Sequence, residues 1–261
     1  PGYMEHWSAN RSFKDNICRL VLTEGGYLFD MAQEIISSEL RELSVYNTIL
    51  SAIAQGHNKL NDLFLTTGYS RAKISVYMKN LSHFDIVEKI VSFETGGWDN
   101  AKKGIYRIKD TFVNFWFKFV FPYMSDLYRL TPEDFYDKHI EKELDSYMNR
   151  YFCDVCMEYL QLLNKIGRVP FAIHKMGTWI GKTGTIDIIA QSSDRQNIVG
   201  LCNWEKPYLT MEMCEKLYES MEKARVQSNH FYLFSAKAFE PALIEVAKKD
   251  SRFELIDMNE L

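Results

Sequence analysis

The sequence predicts an α+β chain in two parts, a winged helix-turn-helix followed by an α/β domain with a mixed sheet. Three observations carry this expectation. Three helical patterns, with a Gly-containing turn before the third and a hairpin after it, lie between Ser44 and Ile108; a run dense in Phe and Trp starts at Thr111; strand and helix patterns then alternate beyond Arg168. At 261 residues and 46% hydrophobic composition, the chain can bury a substantial core in one or two domains.

Residues 1–40 hold two or three helical segments, including Ser12 to Leu22 and Leu28 to Leu40, with 3 Lys+Arg against 6 Asp+Glu. So short a piece cannot hold a core alone and is expected to pack on the next domain or on a part outside this chain.

Residues 41–110 form the winged helix-turn-helix. Val45, Ile49, Leu50, Ile53 and Ala54 recur at helical spacing before Gly56, a helix stop. A short helix from Lys59 to Thr66 ends in Thr67-Gly68-Tyr69, and Ser70 caps a third helix whose inner stripe is Ile74, Tyr77 or Met78, Leu81 and Phe84. Ile86 to Phe93 alternates as a strand, a polar loop follows to Gly104, and Ile105 to Ile108 returns as the second strand of a wing. This segment carries 10 Lys+Arg and 7 Asp+Glu inside an acidic chain. Its basic charge points to double-stranded DNA, with Ser70, Arg71, Lys73, Ser75 and Lys79 on the third helix in the major groove and Lys102 and Lys103, beside Trp98 at the wing tip, on phosphate.

Residues 111–132 connect the two parts. Phe112, Phe115, Trp116, Phe117, Phe119, Val120 and Phe121 surround the single charge Lys118, so this helix must be buried, and Pro122 ends it. Thr131 and Pro132 start the next helix as N-cap and first helical residue. Residues 133–261 then read as helices at 133–145 and 147–165, strands near 168–180, 184–191, 197–202, 229–235 and 253–257, and helices at 211–226 and 239–249.

Composition excludes several functions. With 31 Lys+Arg and 35 Asp+Glu the formal charge is -4, so nothing global draws the chain to phosphate or to a membrane. The opening Pro-Gly-Tyr-Met-Glu-His lacks the basic and apolar regions of a signal peptide, and no apolar run is long enough to span a bilayer, so a cytoplasmic, non-membrane protein is expected. Cys18, Cys153, Cys156, Cys202 and Cys214 are an odd, scattered set that favours reduced thiols. Cys153-x-x-Cys156 has no second pair nearby, so no metal is assigned to it. Gly181-Lys182-Thr183 lacks both the upstream Gly and the following helix of a phosphate loop, and reads as a tight hairpin.

Met176 to Gly181, Thr185 to Ala190 and Ile198 to Trp204 together resemble the PD-(D/E)xK nuclease core, a restriction-endonuclease-like mixed-sheet fold. In that superfamily an Asp on one strand and Glu-x-Lys on the next share a face, hold a divalent cation and activate water. Asp187 fits the Asp, but Leu201 and Asn203 stand where Glu and Lys belong, and neither can serve. The resemblance therefore implies a degenerate nuclease with no metal. A shifted site of Asp187 with Glu205, Lys206 or Glu158, using magnesium, is the alternative.

The order of acidic helices, winged helix, aromatic helix and degenerate nuclease-like domain is similar to the C-terminal region of a family of archaeal-type AAA ATPases found in archaea and bacteria. Its markers here are Pro1-Gly2-Tyr3, Arg107 to Asp110 followed by Phe115-Trp116-Phe117, Ile180-Gly181, Ile186-Asp187-Ile188, Trp204 and Phe231 to Ser235. The resemblance implies that residues 1–40 end the helical lid of an upstream AAA module. That module would bind ATP and is itself outside these residues. The region here would then be a non-catalytic DNA-binding output needing no cofactor of its own, or alternatively a module that binds a protein partner.

Overall fold

The computed structural model describes residues 2–40, 42–93 and 104–261 of the chain, which divides into two compact units. The first comprises the described residues of 1–90 and 104–143; the second comprises 144–261 together with Val91, Ser92 and Phe93. The division falls inside a helix at 143–144, beyond the junction near residue 132 that the sequence suggests. The added helix belongs to the first unit because it packs on the N-terminal segment, where Lys14 pairs with Asp137.

In the first unit, α1 (Phe13–Ile17) starts with a reciprocal Ser12/Asp15 capping box and continues into a π-helical turn, Cys18–Leu22. This turn and α2 (Met31–Glu39) bury Leu20, Val21, Leu22, Ala32 and Ile36, so the acidic segment is docked and not free-standing. Tyr3 Oη donates to Asp110 Oδ2 at 2.6 Å, which anchors the first residues as well.

Helices α3 (Leu43–Ala54), α4 (Leu60–Thr67) and α5 (Arg71–His83) follow, and their apolar stripes meet over Ile49, Leu50, Leu63, Ile74 and Leu81, all essentially inaccessible. Gly68 ends α4 at φ 72°, a left-handed conformation that costs glycine nothing, and turns the chain into α5. Strands β1 (Val87–Val91) and β2 (Gly104–Ile108) form a two-stranded sheet. Tyr106 N donates to Asn58 O at 2.7 Å, extending that ladder to the segment between α3 and α4.

Helix α6 (Thr111–Phe119), capped by the Asp110 carboxylate accepting from Val113 N at 2.8 Å, is buried on nearly every side. An apolar helix of this kind has no solvent face, and its rings fill the centre of the unit. Phe121–Tyr123 makes a 3-10 turn, α7 spans Met124–Leu127, and α8 (Pro132–His139) begins at Thr131, whose hydroxyl accepts from Asp134 N.

Helix α9 (Glu141–Lys165), which belongs to the second unit from Leu144 onward, precedes a five-stranded sheet of β3 (Lys175–Ile180), β4 (Thr185–Gln191), β5 (Asn197–Asn203), β7 (His230–Ser235) and β9 (Phe253–Asp257), in that spatial order. The first two pairings are antiparallel and the last two parallel. The parallel crossovers carry α10 (Met211–Ala224) and α11 (Pro241–Lys249), and the short strands β6 (Tyr208–Leu209) and β8 (Ala238–Phe239) pair beside them. One sheet face packs Ile188, Ala190, Ile198, Cys202 and Phe234 with Phe152, Cys156 and Leu160 of α9; the other packs Ile186, Ile189, Val199 and Leu233 with Leu217 and Met221 of α10. Gly181 N donates to Gly184 O at 3.0 Å, so Gly181-Lys182-Thr183 is the tight hairpin between β3 and β4. Among the described residues no helix is long and apolar enough to cross a membrane.

Phe117 is fully buried at the centre of the first unit. Phe117→Ala is expected to destabilise that unit by about 3–5 kcal/mol in chemical denaturation, the cost of lost transfer energy plus an unfilled cavity. A loss below about 1 kcal/mol would contradict the packing described.

Candidate functional site

The first candidate surface is α5. Ile74, Met78 and Leu81 hold one side of the helix in the core and leave Ala72, Ser75, Val76 and Lys79 exposed along the other, at spacings of three and four residues. The helix contains no Asp or Glu. Ser70 Oγ is occupied as the N-cap, accepting from Lys73 N at 3.2 Å. Arg71 lies over the Phe64 ring at 4.2 Å and donates to Asn61 Oδ1 at 2.6 Å, while the Lys73 ammonium sits 4.6 Å from the centre of the Tyr69 ring. The rings hold two of the predicted cations at the N-terminal end of the helix, which lowers the entropy either would lose on meeting an anion. Ser70, Arg71, Lys73, Ser75 and Lys79 are thus gathered on one helix. Trp98, Lys102 and Lys103 lie outside the described residues.

The second candidate surrounds Asp187, and here the geometry separates residues that strand alternation unites. Between the pairs Gly177↔Ile189 and Trp179↔Ile186, β3 advances two residues and β4 three, so β4 carries a bulge at Asp187-Ile188. Ile186 therefore faces the α10 side and Ile188 the α9 side, although they are two apart. The Asp187 carboxylate accepts from Cys202 N at 2.9 Å, and its ligand oxygen, Cys153 Sγ and Cys202 Sγ all lie within 4.8 Å of one another. Leu201 packs on the opposite, α10-facing core. Asn203, of the same parity, is buried there and closes a turn, its Oδ1 accepting from Lys206 N at 3.0 Å and its Nδ2 donating to Lys206 O at 2.9 Å. The face shared by Asp187, Leu201 and Asn203, expected from a period of two, does not form, because the extra residue in β4 breaks the period.

The shifted set is not assembled either. Glu205 is exposed and its carboxylate pairs with Lys206 Nζ at 3.1 Å, Glu158 is exposed on α9, and neither joins the Asp187 group. Trp204 is held instead by α9: its backbone N donates to Asn149 Oδ1 at 2.8 Å and its Nε1 to Asp145 Oδ1 at 3.2 Å.

The neighbours Asp187 does have are thiols. Desolvation raises its pKa to about 6, against the pull of the Cys202 N–H. Burial pushes the Cys202 thiol well above its ordinary value, and hydrogen bonds with Cys153 and Cys156 push it further the same way. Among the described residues, Cys153, Asp187 and Cys202 are the one group of three His, Cys, Asp or Glu side chains close enough to share an ion. The sequence carried a partial signal, Cys153 and Cys156 on one face of α9, but their partners lie on strands distant along the chain.

Residues 116–217 match the DUF234 family, described as archaeal and bacterial proteins of unknown function. The chain is also similar to an uncharacterized protein of Methanocaldococcus jannaschii, with 30% identity over 173 residues, or 66% of this chain. It spans 38% of the length of that relative. No solved structure matches it.

Asn203 stands here as a buried turn-closing amide. Asn203→Ala is expected to cost about 1–3 kcal/mol in thermal or chemical denaturation, since Lys206 N–H and C=O both lose their partner. Stability unchanged within about 0.5 kcal/mol would contradict that role.

Proposed function

We propose that residues 43–108 act as a winged helix that binds double-stranded DNA through α5, and that the second unit is a nuclease-like domain without a cutting site. The single observation that carries the DNA reading is the outer face of α5: free of carboxylates, lined by small side chains at Ala72 and Ser75, and bearing Val76 and Lys79. A helix enters a major groove only if its outer face is narrow and does not repel phosphate, and an aliphatic group such as Val76 suits a thymine methyl. In this reading Arg71 and Lys73, held over aromatic rings at the start of the helix, contact the phosphate backbone.

The non-cutting reading is supported by the bulge in β4, which leaves Asp187 without a second carboxylate or a lysine. Phosphodiester hydrolysis by two-carboxylate metal chemistry needs both. A relative of which this chain spans only 38% supports reading the two units as part of a larger protein, and the resemblance to the AAA ATPase family makes that larger protein an ATPase in this proposal. In this reading nucleotide binding belongs to a separate module.

Fluorescence anisotropy with a labelled duplex at several salt concentrations tests the proposal. Binding is expected at low ionic strength, with log Kobs falling linearly in log salt; Lys73→Ala and Lys79→Ala should each reduce that slope by about 1. Val76→Glu, at a position 58% exposed and so neutral for folding, should abolish binding, whereas Lys216→Ala on α10 should change nothing. Absence of binding at low salt, or binding unaffected by Val76→Glu, would overturn it.

A further inference from the structure

We propose that Cys153, Asp187 and Cys202 hold a zinc ion that ties α9 to β4 and β5, with Cys156 as the hydrogen-bond partner that orients the Cys202 sulfur. The three donors come from three different elements and converge to within 4.8 Å of one another. Around tetrahedral zinc, with bonds of about 2.0–2.3 Å, ligand atoms stand about 3.5–4 Å apart, so closure needs only side-chain adjustment of about an ångström.

Three features point to an ion and not to a chance cluster. The Asp187 carboxylate sits beside two thiols, and in the described residues its hydrogen-bond partner is one backbone N–H and no cation pairs with it, an arrangement that leaves its charge uncompensated. Two thiols beside it supply the soft donors that select zinc; magnesium and calcium require oxygen ligands, so this is not the cation site of a nuclease displaced by a few residues. Access is one-sided as well. Cys153 and Asp187 are partly exposed while Cys156 and Cys202 are buried, so an ion enters past the first pair and keeps its fourth position toward water.

On binding, two thiol protons leave to solvent, and the two thiolates and the carboxylate offset the ion's two positive charges to leave a net charge of about −1. Cys156, a helical turn beyond Cys153 and fully buried, hydrogen-bonds the Cys202 sulfur as an outer-shell group does in zinc sites.

The whole chain, produced with zinc supplied and purified under reductant, is expected to carry about one zinc per molecule by elemental analysis. Its cobalt-substituted form should show a thiolate-to-cobalt charge-transfer band with the intense visible bands of a tetrahedral site. Cys153→Ser and Cys202→Ser should lose stoichiometric metal. Asp187→Asn, which keeps an acceptor for Cys202 N, should bind it more weakly. Cys156→Ser should lower affinity about 10–100-fold, and Cys214→Ser, in the α10-facing core, should leave it unchanged. Far-UV circular dichroism of each variant separates lost binding from lost fold. Wild-type protein that neither carries zinc nor gives the thiolate–cobalt band would overturn the proposal, as would full metal in folded Cys153→Ser, or a Cys153–Cys202 disulfide in protein isolated under reductant.

Discussion

One extra residue in β4 decides where the Asp187 carboxylate points. Without it, Asp187 would alternate onto the face of Leu201 and Asn203. With it, the carboxylate turns toward α9, enters the β4–β5 ladder as the acceptor for Cys202 N, and lies beside sulfur. The same residue sets the packing, since it places Ile186 in the α10-facing core and Ile188 in the α9-facing one. Bulges of this kind re-aim side chains and concentrate near functional positions. Here the re-aimed carboxylate turns from the α10 side of the sheet toward the sulfurs of Cys153 and Cys202.

The first unit depends on α6 in a comparable way. Because that helix is apolar on all sides, everything around it must cover it: α2 and α3 pack on it, Asp110 caps it, and Tyr3 reaches the same carboxylate. The core positions of α5 are fixed in turn by packing on α4, which leaves the opposite face of α5 exposed to solvent. A rigid scaffold behind an exposed helix face is what a groove-binding element needs, and α5 in the first unit offers one for the proposed DNA contact.

Much of this was legible in the sequence. Helical spacing, Gly68 and the Ser70 cap marked α3 to α5, and apolar runs bounded by turns located the five main strands, because buried strands and amphipathic helices leave periodic signals. The two-residue strands β6 and β8 left none, and the separation of α8 from α9 at Ile140 came six residues before the expected break at residue 146. The candidate site was less legible for a physical reason: Asp187, Leu201 and Asn203 share a face only under unbroken alternation, and the bulge in β4 is invisible to periodicity. The grouping of Cys153 with Cys202 was equally hidden, since metal-ligand spacings are local and these two cysteines meet only through the packing of α9 on the sheet.

The central proposal is a division of labour, with α5 as the DNA contact and the Asp187 neighbourhood taking no part in it. Backbone chemical-shift mapping during titration with a duplex at low salt tests it most directly. The account predicts perturbations along residues 70–83 of the α5 segment and none at Asp187, Leu201, Cys202 or Asn203; shifts centred on those four residues, with α5 silent, would contradict it.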